Sequence, residues 1–361
     1  MRCRLMCRER WLATDWKYLS RARPVSPRLS SRGAGRSIGR MSSRRDRRDE
    51  TGYSMRLNLN TAGLAVLVAT ALIAVGACDA AGDVDDGDEG KLTVVTTIYP
   101  MQYFASRIAG DDAVVHSLVG SGMEAHAFEP TTADVQRLAG ADLVVANGLL
   151  LEPWLGRVIT ALGDDGPTRV VETAVLANAG DPDAHDVDPH VWLDPVLAMA
   201  QAARVQRAFE ELDPAHAADY RSRASDLFGD LEALDVAYAS RLGSCALGHF
   251  VTTHAAYGYL AARYGLEQVA IAGLTPEAQP SARELANLTE RVTALGIGYV
   301  LVEPSLSSRL AQTVAAESGV ELLPIHQLES ATSEELAEHG DYLGLMRANL
   351  ESLAVALECA A

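Results

Sequence analysis

Positive charge is scarce over most of this 361-residue chain. Residues 1–54 hold 15 of its 31 Lys and Arg, so the rest carries 16 of them against 43 Asp and Glu. A body with an excess of 27 negative charges presents no basic footprint for phosphates, which excludes nucleic acid as a partner. Cysteine is scarce too, at five residues. No Cys-x-x-Cys pair and no His-Glu-x-x-His run occurs, so the compact sequence signatures of zinc sites are missing. Long apolar runs are equally rare. The one that stands out, Ala62 to Ala77, has 16 residues, fewer than the roughly 20 a membrane-spanning helix needs. What is present, 48% hydrophobic and 22% charged residues, is ordinary for a globular protein and excludes disorder throughout.

The apolar run accounts for the front of the chain. Met55 and Arg56 give residues 55–78 the short positive start of a secretory signal peptide. The tail Val75-Gly76-Ala77-Cys78 resembles a bacterial lipobox, which implies lipid on Cys78 and anchorage to the outer face of the cell membrane. Cleavage nearby, leaving a free periplasmic or secreted protein, is the alternative. Residues 1–54, Arg-rich and without helical or strand period, are expected to be a misassigned extension ahead of a true start at Met55. A twin-arginine leader is the rival, although Arg44-Arg45 and Arg47-Arg48 lie far from the apolar run. Residues 79–90 are acidic and Gly-rich, as a flexible tether should be. Cys3 and Cys7 fall in the extension. Cys245 and Cys359 remain as an even pair in an oxidising compartment, so a disulfide is expected rather than two free thiols.

From Leu92 onward short β-branched runs alternate with amphipathic stretches. Strands are expected at 92–98, 113–119, 142–147 and 168–172, and again at 249–253, 267–273, 299–303 and 320–325. Helices are expected at 131–138, with Thr131 or Thr132 as N-cap, and near 281–295 and 307–318. This alternation predicts two α/β lobes with mainly parallel sheets. Between the two sets, Tyr220, Ala224, Leu227, Leu231, Leu234, Tyr238 and Leu242 form a single apolar stripe. With Pro214 near its start and Gly243 at its end, it predicts a long helix joining the lobes. The expected division is a first lobe over 91–210, a linking helix over 211–243 and a second lobe over 244–361.

Three of the nine His have unusual settings. His126 lies in GSGMEAHAFEP (120–130), after the second strand. His190 lies in DPHVWLDP (188–195), a turn leading into a helix. His254 lies in HFVTTHAAYGYLAARYGL (249–266), where a strand ends and a helix begins. Glu329, in LPIHQLES (323–330), follows the last strand. Ligand crevices of open α/β sheets lie outside the carboxyl ends of the strands, and three imidazoles with one carboxylate suit four-coordinate Zn2+.

These motifs, together with GLTPEAQPSARELANLTERV (273–292) and VEPSLSSRLAQTVAAESGVELLP (302–324), resemble the zinc/manganese solute-binding lipoproteins of ABC importers, over about Lys91 to Leu357. The resemblance implies two α/β lobes joined by a long helix, with the metal in the interlobe cleft. It implies His126, His190 and His254 as ligands, and places Glu329 where the family usually has an Asp, with His326 or water as the alternative fourth ligand. His at the third position is the zinc habit of the family; manganese members carry a carboxylate there. The loop 180–188 holds one His, His185, among four Asp, where many zinc members have a long His-rich insert. The implied function is capture of Zn2+ by a monomer and its delivery to the permease and ATPase of an ABC importer, with no catalytic residue. Mn2+ or Fe2+ capture is the alternative within the class. A zinc hydrolase using Glu124 or Glu303 as base, or an adhesin-like surface lipoprotein, are the alternatives outside it.

Overall fold

The computed structural model describes residues 90–174, 187–276, 280–304 and 309–360, all within one unit, Gly82–Ala361. Residues 1–78, Cys78 included, most of the tether and His185 lie outside the described residues. The first lobe runs β1 (Leu92–Thr96), α1 (Tyr99–Ala109), β2 (Ala113–Ser117), α2 (Thr132–Ala139), β3 (Leu143–Ala146), α3 (Leu155–Leu162) and β4 (Arg169–Glu172). Two helices follow, α4 (Pro195–Leu212) and α5 (Ala217–Leu242). The second lobe runs β5 (His249–Thr252), α6 (Gly258–Arg263), β6 (Glu267–Ala270), α7 (Ala282–Ala294), β7 (Tyr299–Val302), α8 (Arg309–Ser318) and β8 (Glu321–Pro324). The chain closes with α9 (Ser333–His339) and α10 (Tyr342–Ala356).

Each lobe holds a four-stranded parallel sheet, in the orders β2-β1-β3-β4 and β6-β5-β7-β8. The eight expected strands are all present, one to three residues shorter than their β-branched runs. Val94, Val95 and every residue of β3 are buried, as parallel strands covered on both faces must be. Both orders reverse direction between the first and third strands, so each sheet opens a crevice at the carboxyl ends of that pair. Loop chemistry sets the helix starts. Thr131 caps α2 in a reciprocal capping box with Asp134, which satisfies two main-chain donors that the helix cannot. Asp194 caps α4 by accepting from Val196 and Leu197 N–H, with Pro195 in the first turn, where its missing N–H is no loss.

All seven residues of the apolar stripe are buried along α5, which at 1.5 Å per residue extends for about 39 Å. The helix begins at Ala217 rather than 211, because Pro214–His216 forms a 3-10 turn after α4 has ended. Its front half fastens to the first lobe, where Arg223 Nε donates to the Ile108 carbonyl at 2.7 Å and Arg107 pairs with Asp230 at 2.7 Å. Its back half fastens to the second. There the Tyr238 hydroxyl donates to the Met346 carbonyl at 2.6 Å, and Asp235 accepts from the Tyr264 hydroxyl at 2.9 Å. Cys245, just past α5, is disulfide-bonded to Cys359 beyond α10. Among the described residues no helix is long and apolar enough to cross a membrane.

Candidate metal centre

Four loops deliver the side chains that converge between the two sheets. His126 comes from the β2–α2 loop, His190 from the turn before α4, His254 from the β5–α6 loop and Glu329 from the β8–α9 loop. One ligand atom from each lies within 4.8 Å of all the others, and among the described residues this is the one such group of three or more His, Cys, Asp or Glu. His190, His254 and Glu329 are fully buried, while the His126 side chain keeps 9% exposure. His126 is therefore the face of the site nearest solvent.

Two of the three rings are held from behind. Asp188 Oδ1 accepts from the His190 main-chain N–H at 2.9 Å and from its Nδ1 at 2.8 Å. Asn147, at the end of β3, donates to the Pro189 carbonyl at 3.0 Å and so fixes the turn from the first sheet. Glu303 Oε1 lies 3.1 Å from His254 Nδ1. Thr252 and Gln268 both donate to the His254 carbonyl, at 2.7 and 2.8 Å. A carboxylate at Nδ1 keeps the proton on that nitrogen and leaves the Nε2 lone pair for a cation. His254 Nε2 is accordingly buried without a hydrogen-bond partner, as are both carboxylate oxygens of Glu329. Such orphaned atoms are rare in a folded interior, and here they face one another.

The electrostatics fit a cation-binding pocket. His126 Nε2 lies 3.1 Å from His190 Nε2, and Glu329 Oε1 lies 3.3 and 3.4 Å from those two atoms. Burial disfavours a charged His190, but its contacts with Asp188 and Glu329 outweigh that and raise the imidazole to about 9. Burial likewise pushes the Glu329 carboxyl up, yet the His126 and His190 rings beside it prevail and hold it well below the usual carboxylate range. Three imidazole nitrogens and one anionic oxygen, all within 4.8 Å of one another, match the donor set of a tetrahedral Zn2+ site.

The remaining sequence candidates occupy other places. His326 is outside the group of four: its Nδ1 faces Glu335 Oε1 at 2.8 Å, a hydrogen bond that leads in holding the Glu335 carboxyl down to about 2. Glu303, named as a possible catalytic base, spends Oε1 on His254. Glu124 Oε1 accepts from the His126 main-chain N–H at 3.3 Å. Asp188 and Asn147 were not recognised from sequence as parts of the site. Asp188 stood in plain view beside His190. The pairing of Glu303 with His254 had no signal in the sequence, since it depends on β5 and β7 lying side by side in the second sheet.

A family model described as "Zinc-uptake complex component A periplasmic" matches residues 94–356. Zinc-binding lipoprotein AdcA of Streptococcus pneumoniae is 36% identical over 278 residues, which make up 73% of this chain and 56% of that protein. The chain thus spans about half the length of that relative. High-affinity zinc uptake system protein ZnuA of Bacillus subtilis is 32% identical over 306 residues, 81% of this chain and 96% of that protein. The crystal structure of the Zn(II)-bound ZnuA-like domain of Streptococcus pneumoniae AdcA has a TM-score of 0.65 at 36% identity, covering 74% of this chain and 100% of that one.

Proposed function

This chain belongs to the family of the periplasmic component A of zinc-uptake complexes, and from that premise we propose that it captures Zn2+ outside the cytoplasm and delivers it to an ABC-type importer. The ligands are His126, His190, His254 and Glu329. The observation that carries the reading is their convergence, with four ligand atoms within 4.8 Å of one another, and with His254 Nε2 and both Glu329 carboxylate oxygens buried without hydrogen-bond partners. Four protein ligands complete a tetrahedral shell, whereas catalytic zinc keeps a position open for water. The protein is therefore a binding protein and not an enzyme.

Zinc is the cargo. An imidazole at the third position favours Zn2+ over Mn2+, which prefers carboxylate oxygen. Delivery takes place to a permease coupled to an ATPase, and lipid on Cys78 holds the monomer at the outer face of the membrane. Metal analysis of purified protein, with competitive titration by Zn2+, Mn2+ and Fe2+ and an assay for hydrolase activity, tests the reading. One tightly held Zn2+ per chain and no hydrolysis is the expected result. Preference for Mn2+ or Fe2+ would overturn the choice of metal, and zinc-dependent turnover would overturn the transport role.

A further inference from the structure

The residue immediately before Glu329 has an unusual backbone. Leu328 adopts φ +63° and is 1% exposed, a left-handed conformation in which a bulky residue with a Cβ is a genuine outlier. Such strain persists only where the surroundings over-determine it. Here they do. Asn349 of α10, fully buried, accepts from the His326 N–H at 2.7 Å and donates to the His326 carbonyl at 2.7 Å. Trp192 Nε1 donates to the Gln327 carbonyl at 2.7 Å. Tyr99 N–H donates to the Glu329 carbonyl at 3.0 Å. The main chain is thus pinned on both sides of Leu328, from three separate elements.

None of these bonds touches the carboxylate of Glu329, whose two oxygens are buried without a hydrogen-bond partner. The clamp acts on the backbone and leaves the carboxylate facing the other ligand side chains, with Oε1 3.3 and 3.4 Å from His126 and His190 Nε2. Trp192 also stands two residues after His190, so its bond to Gln327 joins two ligand-bearing segments directly. Resting on the assignment of Glu329 as a zinc ligand, we propose that Asn349 and Trp192 are positioning residues for metal capture. By locking the left-handed turn at Leu328, they present the Glu329 carboxylate to the ion already oriented.

A double-mutant cycle tests this, because residues acting through one another are not additive. Asn349→Asp keeps the shape and loses the donor to the His326 carbonyl. Zn2+ affinity would be measured by competition with a chromophoric chelator in the wild type, Asn349→Asp, Glu329→Gln and the double variant. Asn349→Asp should weaken binding about tenfold or more, the scale of supporting partners behind metal ligands. Within Glu329→Gln the same change should cost less than about twofold. Trp192→Phe, which removes only the indole donor and some volume, should show the same shrinkage and decides the matter if Asn349→Asp fails to fold. Equal losses in both backgrounds, or no loss in either, would overturn the clamp and leave Glu329 a ligand. Unchanged affinity in Glu329→Gln alone would overturn the ligand assignment, and the clamp with it.

Discussion

At the scale of single residues, the site divides into donors and the groups that aim them. Removing a donor deletes a metal bond, so His126→Ala, His190→Ala or His254→Ala should each weaken Zn2+ binding at least tenfold, with Glu329→Ala a smaller loss; chelator competition reads both. Asp188→Asn and Glu303→Gln keep the size of the groups behind His190 and His254 but remove the charge that fixes the tautomer. Each should lower affinity by about 10–100-fold while the circular dichroism spectrum stays that of the wild type. The His190 imidazole, raised to about 9, gives a pH test with a definite sign. Below pH 9 the metal-free ring carries a proton that Zn2+ must displace. Binding should therefore release protons at pH 7.5, and affinity should rise as pH approaches 9. Isothermal titration in buffers of different ionisation enthalpy measures the release directly, and an identical heat in all buffers would contradict it. The same raised value stabilises the metal-free fold fully below the unfolded value of about 6.5, and that contribution fades as pH rises through about 9. Between those limits, this one group drives metal affinity and metal-free stability in opposite directions.

At the scale of elements, α5 carries the heaviest structural duty. Leu231 lies mid-stripe, fully buried, between the contacts with α1 and those with α10. Leu231→Ala should cost about 2–5 kcal/mol by cavity formation, read as a shift in the midpoint of equilibrium denaturation. Thr131→Ala removes the capping box of α2 and should cost about 1 kcal/mol. The two changes should also differ in their effect on metal. Thr131 closes the same loop that carries His126, so loss of the cap should weaken Zn2+ binding, whereas the Leu231 effect should appear mainly in stability.

At the scale of the whole molecule, the disulfide ties the segment just past α5 to the end of the chain beyond α10. Cys245 and Cys359 close a loop with a sequence separation of 114, which in the chain-entropy model is worth about 4–5 kcal/mol. Reduction should lower the denaturation midpoint accordingly, and thiol counting on denatured, unreduced protein should find neither of these two cysteines free. Metal should counter the loss, since a ligand that binds only the folded state stabilises it by mass action. Saturating Zn2+ should raise the midpoint of both the oxidised and the reduced protein.

The eight strands, the buried stripe of α5 and the N-cap at Thr131 were legible in the sequence because each rests on a pattern within a few residues: β-branched runs, a four-and-three spacing, a polar cap before a helix. His126, His190 and His254 were legible as residues set at the ends of such elements. Their meeting was not readable from spacing alone, since they lie 64 positions apart in turn, and only the motif resemblance pointed to a common site. What tertiary structure alone decided lies in the second layer. Glu303 reaches His254 because β5 and β7 are neighbours in the sheet. Asn349 holds the His326 main chain because α10 packs back against the β8 end. Leu328 is left-handed because the surrounding hydrogen bonds leave it no other course. Local sequence sets local conformation, but a hydrogen bond across more than twenty residues depends on which surfaces the apolar core brings together, and that is settled only when the whole chain folds.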